Sequence, residues 1–213
     1  MPATNQRNQI IEAYVTTDTP LRAILSRLPE PRGPVAQALL YLLECIEGRR
    51  LAKEAVSVAQ AAVANKDADP EIMVLMLSRW AELSCRVGRP SEADALMHRA
   101  KALMSPGTHP EVRAAMTLAE SVIADTTGNK ERCERLLRGA LDFLPSFSPR
   151  RKTYLWELGL FLARQGRLVD CRDALRGLSL GPDDSSRVSR LLMVQFVDAV
   201  ETGRPREASQ LMS

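Results

Sequence analysis

The sequence has few aromatic residues and no closely spaced cysteines. Aromatic side chains make up only 4 % of the 213 residues, so the core must consist of Leu, Ala, Val and Met, which favour helices. The four cysteines lie far apart and form no C-x-x-C pair, which argues against a zinc site. We expect all four to be reduced, small, buried side chains: Cys45, Cys85, Cys133 and Cys171.

The sequence also lacks long apolar runs and a concentrated basic region. Residues 1–9 lack the apolar core of a signal peptide, and the apolar-rich stretch 35–46 is too short to cross a bilayer. We therefore expect a cytoplasmic protein. The net charge of +3 is mildly basic, and arginine is scattered, with small clusters at Arg49-Arg50 and Arg150-Arg151-Lys152. Nucleic-acid-binding proteins usually concentrate such charge on one face.

Motifs of common enzyme classes are missing as well. The chain contains no P-loop, G-x-G-x-x-G, H-E-x-x-H or G-x-S-x-G sequence. Its two histidines, His98 and His109, have no nucleophile fixed beside them by the sequence, and we expect solvated surface side chains. The pair Asp183-Asp184 precedes two serines and is typical of a helix start rather than a metal site. We predict that the protein is not an enzyme and needs no cofactor.

An internal repeat is the strongest positive feature. Five glycines are separated by 40, 40, 38 and 37 residues: Gly48, Gly88, Gly128, Gly166 and Gly203. A helical apolar pattern precedes and follows each glycine, which predicts that each glycine ends a helix in the left-handed conformation. Prolines mark the boundaries between the units, and Asp69-Pro70-Glu71 is typical of a helix N-cap, a first-turn proline and a favourably placed acid.

Small residues recur at fixed distances from these glycines. Seven positions before them stand Ala81, Ser121 and Gly159, but Phe196 in the last unit; five after them stand Ala93, Cys133, Cys171 and Ala208; seven further on stand Ala100 and Ala140, but Leu178 in the fourth unit. In this pattern the chain resembles the tetratricopeptide repeat. The period is longer than the family's roughly 34 residues, and most of its aromatic consensus positions are absent. A non-repetitive helical bundle remains the alternative.

The resemblance implies an all-α, right-handed α-solenoid of about five or six antiparallel helical hairpins. Residues 1–33 are predicted to form a degenerate N-terminal hairpin or cap, in which one set of apolar residues faces another: Ile10, Ile11, Tyr14 and Val15 against Leu21, Ile24, Leu25 and Leu28. Residues 34–213 form the repeat domain, with units at about 34–69, 70–109, 110–149, 150–184 and 185–213.

The first helix of each hairpin is expected to line the concave side of such a solenoid. The register set by the glycines places a largely apolar set of residues there, which we call the inner face: Leu75, Ser78, Glu82, Arg86, Leu118, Val122, Asp125, Thr153, Trp156, Leu160, Arg164, Met193 and Val197. An apolar groove suits an amphipathic helix or a hydrophobic segment. Three alternatives stay open: tight curvature that closes the groove, filling by the helix around residues 10–15, and burial in a homodimer.

The function predicted from these features is a protein–protein interaction scaffold. The partner would be another protein, held by a helical or hydrophobic segment in the groove. The resemblance suggests an adaptor or chaperone, such as a bacterial secretion-system chaperone or assembly factor. The alternative is a regulatory or nucleic-acid-associated helical-repeat module. Recognition of RNA one base per repeat needs matched polar residues in every unit, whereas the equivalent positions here are mostly Leu, Val and Met.

Overall fold

A computed structural model of the chain describes residues 3–17, 19–28, 33–65, 67–175 and 203–204. These residues form helices, turns and loops, and none of them lies in a β-strand. The helices, in chain order, are α1 (Ala3–Thr16), α2 (Leu21–Ser26), α3 (Pro34–Ile46), α4 (Ala52–Val63), α5 (Pro70–Arg86), α6 (Pro90–Leu103), α7 (Pro110–Thr126), α8 (Lys130–Phe143), α9 (Arg151–Arg164) and α10 (Leu168–Leu175). The all-α prediction is therefore confirmed for this part of the chain.

The helices pack in consecutive pairs. Helix α3 packs on α4, α5 on α6, α7 on α8, and α9 on α10. The first helices of successive pairs also pack side by side, α3 against α5 and α5 against α7. The pairs α5–α6 and α7–α8 fall within the predicted units 70–109 and 110–149. The fifth predicted unit, 185–213, lies outside the described residues apart from positions 203 and 204.

Each predicted turn glycine has a positive φ, between 69° and 80°. At the α5–α6 turn, the N–H of Gly88 donates to the Cys85 carbonyl at 3.0 Å, and the N–H of Arg89 donates to the Ser84 carbonyl at 2.8 Å. The same two bonds recur at Gly48, Gly128 and Gly166. These bonds satisfy the last carbonyls of the preceding helix, and they need a left-handed residue, which glycine supplies without a Cβ clash. The prediction from glycine spacing is confirmed.

The small residues of the repeat lie where helices approach closely. Ala81, Ala93 and Ala140 have no exposed surface. A Cβ added to Gly159 would lie 2.9 Å from the Leu175 Cδ2 atom, which is closer than real Cβ contacts. The predicted close approach is therefore present at Gly159, and the three alanines are fully buried. Leu178, Phe196 and Ala208 lie outside the described residues.

Buried glutamates in the first turns of α5 and α7 accept hydrogen bonds from the loops that follow α6 and α8. Asp69 caps α5, and its carboxylate accepts hydrogen bonds from the N–H groups of residues 71 and 72. Glu71 Oε1 accepts the backbone N–H of His109 at 2.6 Å, and Glu111 Oε1 accepts the Ser148 hydroxyl at 2.6 Å. His109 is therefore not the solvated loop side chain that we expected: it caps α7, where its Nδ1 accepts the N–H of Glu111.

The other ends of α5 and α7 also meet. Cys85, in the last turn of α5, lies within hydrogen-bonding reach of Thr126 at the end of α7. Since Glu71 and His109 join the opposite ends, the two helices run parallel and pack side by side.

The chain also divides into two compact units, which are larger than the predicted repeats. The first unit is Met1–Arg150 and the second unit is Arg151–Ser213. The N-terminal pair α1–α2 lies in the same compact unit as α3 to α8. The predicted division at residue 33 stays a prediction. In the second unit, α9 packs on α10, and the large side chains Tyr154 and Phe161 are buried.

Candidate functional site

Helices α5 and α7 are buried on nearly every side. Between Glu71 and Cys85, Arg79 is the one residue that is not buried. Between Glu111 and Ala124, the exceptions are Arg113 and Val122. Helix α5 packs against α3 and α7 on its flanks and also against α4 and α6. These neighbours, together with the apolar cluster that includes α1, bury it nearly all round.

The N-terminal hairpin, α1 and α2, also contributes to the core of the first unit. Ile10, Ile11 and Tyr14 of α1 are buried in one continuous apolar cluster with residues of α3, α5 and α7. Helix α2 packs on α3, and the Arg22 Nε atom lies 2.7 Å from a carboxylate oxygen of Glu47 at the end of α3. The predicted apolar residues of this hairpin are thus buried in the core, with Val15 half-buried.

Arg150, the last residue of the first unit, also contacts this hairpin. Its side chain is buried, and its Nε and Nη2 groups donate to the carbonyls of Tyr14 and Thr19 at 2.8 and 2.6 Å. The guanidinium carbon also lies 3.7 Å from the centre of the Tyr14 ring, in a cation–π contact. The N-terminal hairpin therefore contacts both Glu47, at the end of α3, and Arg150, the last residue of the first compact unit.

Several residues of the predicted inner face are inaccessible in this structure. Leu75 and Ser78 on α5 are each 1 % exposed, and Glu82 and Leu118 are also buried. In the second unit, Trp156 is only 8 % exposed, so it packs inside the fold instead of lining an open surface.

Other inner-face residues are accessible and lie near the ends of their helices. Arg86 is exposed and donates to Glu82 Oε1 at 2.5 Å, so the structure joins two predicted site residues in an ion pair. Val122 is half-buried, as is Asp125, whose carboxylate accepts the Lys130 ammonium at 2.5 Å. The inner face of α7 thus becomes more accessible toward its C-terminal end.

In the second unit, α9 carries three further accessible residues. Thr153 and Leu160 are half-buried, and Arg164 is exposed. Met193 and Val197, the remaining predicted members of the inner face, lie outside the described residues. In the first unit, the accessible residues of the predicted site therefore lie toward the C-terminal ends of α5 and α7.

Two further surface features were not singled out from the sequence. Phe147 is 87 % exposed, next to the partly exposed Phe143 at the end of α8. A cleft of about 300 Å³ lies within the N-terminal hairpin, lined by Gln9, Ala13, Thr17, Thr19, Ile24, Arg27 and Leu28. The sequence shows Arg150 only as part of a basic cluster. Its contacts join residues more than 130 positions apart, so no local pattern reveals them.

The thiols and the carboxylates provide little chemistry. Burial raises the pKa of the Cys85 and Cys45 thiols, so both stay protonated at a higher pH than a free cysteine. Over the described ranges, no three His, Cys, Asp or Glu side chains converge as metal ligands would. In the same part of the chain, no helix is both long enough and apolar enough to cross a membrane.

Comparisons with known protein families, with characterised proteins and with solved structures find no match to this chain.

Proposed function

We propose that this chain is a protein-binding scaffold built as a right-handed, tetratricopeptide-like solenoid of helical hairpins. Its inner face would hold an amphipathic helix or hydrophobic segment of a partner protein. One observation carries the proposal: the first unit buries the apolar residues of a short helical hairpin in one cluster with α3, α5 and α7. A face that accepts the chain's own helices has the shape and apolarity to accept another.

The apolar contacts of such a helix supply substantial binding energy. Ile10, Ile11 and Tyr14 are each at most 5 % exposed. Burial of a large apolar side chain contributes about 1.5–3 kcal/mol, so three anchors at helical spacing contribute several kcal/mol before the entropy cost of association. Grooves that bind a helix use this arrangement of a few apolar anchors on one side of the incoming helix.

An adaptor or chaperone role follows from this binding mode, because a hydrophobic segment of a partner would be shielded while it is bound. The nucleic-acid alternative has less support, since two of the exposed cations of α8 pair with carboxylates of the chain itself. Lys130 pairs with Asp125 at 2.5 Å, and Arg138 pairs with Glu134 at 2.9 Å. Phosphate contacts would require these cations to leave their present partners.

A photo-crosslinking amino acid placed at Val122 in the native host tests the proposal. Val122 lies on the accessible part of the inner face, and the exposed Ala61 on α4 serves as the matched control position. We expect Val122 to crosslink to one protein, within an amphipathic helical segment, and Ala61 not to crosslink to it. Crosslinks to nucleic acid, or the same proteins from both positions, would contradict the proposal.

A further inference from the structure

We propose that the N-terminal hairpin, residues 3–28, is a displaceable occupant of the inner face, and that Arg150 is the receptor for its helix C-terminus. This inference rests on the proposed function and specifies the partner. A helix that replaces α1 should carry an aromatic residue in its last turn and present free C-terminal carbonyls to Arg150.

The repeat itself shows why Arg150 is unusual. It follows Pro149, as Glu71 follows Pro70 and Glu111 follows Pro110. Both glutamates accept a hydrogen bond from the loop that follows their own helix pair. Arg150 has the opposite charge at the same position, and it donates to the N-terminal hairpin instead. Reversal of charge at this position redirects the side chain from the junction between units to the hairpin.

Arg150 contacts both the end of α1 and the turn that follows it. The last carbonyls of a helix have no partner within the helix, and a cation at that end is favourable. Tyr14 lies in the last turn of α1, which ends at Thr16, and its carbonyl and its ring both contact Arg150. The second carbonyl belongs to Thr19, in the turn before α2. The receptor therefore recognises an aromatic face and two backbone carbonyls, one at the helix end and one in the turn beyond it.

The hairpin is also the shortest helical pair of the first unit. Helix α2 has only 6 residues, and the cleft of about 300 Å³ is lined by residues of α1, α2 and the turns that follow them. The sequence that links it to α3 contains Pro29, Pro31 and Gly33. Parts of a fold open separately, each with its own free energy, and short peripheral segments open at a lower free energy than the central helices. These features suit an element that leaves and returns while α3 to α8 stay folded.

Native-state hydrogen exchange on the full-length wild-type protein tests displacement without any partner. We expect amides of residues 10–15 to exchange at least about tenfold faster than the most protected amides of α5 and α7. Arg150→Ala should accelerate exchange in α1 and leave α7 unchanged. Arg138→Ala, which removes a surface arginine, is the control and should alter neither. If α1 exchanges only together with α5 and α7, the hairpin is a permanent part of the core and the inference is wrong.

A synthetic peptide of residues 3–28 tests the receptor directly. The full-length variant with Ile10→Asp and Tyr14→Ala should lose its own occupant and bind the peptide. The wild-type chain should bind it at least about tenfold more weakly, because its site is already occupied. A peptide with Tyr14→Ala should also bind about tenfold more weakly, since it lacks the ring that contacts Arg150.

The variant's circular dichroism must stay helical for this comparison. If the folded variant does not bind the peptide, or if the wild-type chain binds it equally well, the displacement proposal fails. The proposed function would still be tested by the crosslinks at Val122, because those crosslinks do not depend on the peptide. If the variant does not fold, the exchange experiment on the wild-type protein decides the question alone.

Discussion

Replacement of glycine by alanine should have opposite effects at two sites of the first unit. An added Cβ meets no atom within 4 Å at either Gly88 or Gly139, so steric contact plays no part. Gly88 has a φ of 79°, and an L-residue in the left-handed region costs about 1–2 kcal/mol. Gly139 lies inside α8, where alanine is favoured over glycine by about 0.5–1 kcal/mol. The two variants should therefore differ by roughly 2 kcal/mol in the free energy of unfolding.

Urea denaturation followed by circular dichroism measures both changes. Gly88→Ala should lower the midpoint and Gly139→Ala should raise it, with unchanged slopes. Gly88→Asn should lose less than Gly88→Ala, because asparagine tolerates the left-handed conformation. If Gly88→Ala and Gly139→Ala shift the midpoint in the same direction, the assignment of Gly88 as the helix-ending residue of the repeat is wrong.

Three further changes test the packing of the first unit. Ala140→Leu should destabilise the protein by about 1–3 kcal/mol in thermal unfolding, because Ala140 is fully buried between helices; an unchanged melting temperature would refute the close contact. Ser148→Ala should lower the free energy of unfolding by about 2–3 kcal/mol, because the buried Glu111 would lose its hydroxyl donor while its second oxygen has no partner. Ser146→Ala, at an exposed position, is the control and should be near neutral. Burial raises the pKa of Cys85, so a smaller fraction is thiolate at pH 8, and alkylation should be much slower than in urea-unfolded protein; equal rates would contradict its burial.

The helices and turns were predictable because they depend on local chemistry. A left-handed glycine, a proline in the first turn and an Asp69 cap act within a few residues, and each leaves a visible pattern in the sequence. The small residues were predictable for a related reason, since a repeat places them at fixed distances from its glycines. The described part of the chain confirms these features from Gly48 to Gly166.

The burial of the inner face was not predictable in the same way. The periodicity of α5 shows which residues share a side, but Leu75 has the same pattern whether that side is open or covered. The contact that fixes the N-terminal hairpin joins Arg150 to Tyr14, 136 positions away, and no local pattern in the sequence predicts it. Glu71 was identified as a favourable acid at a helix start, yet its hydrogen bond to His109 depends on how one hairpin stacks on the next.

The most direct test of the central claim, an inner face that binds helices, is selection of random displayed peptides on the immobilised full-length protein. The account predicts enrichment of peptides with apolar residues at positions i, i+3 or i+4, and i+7. These peptides should lose affinity for a Val122→Asp variant. Their affinity should change little between about 50 and 500 mM salt, because apolar contacts release no condensed counterions. Enrichment of peptides without helical periodicity, or peptides that bind Val122→Asp as well as the wild-type protein, would contradict the account.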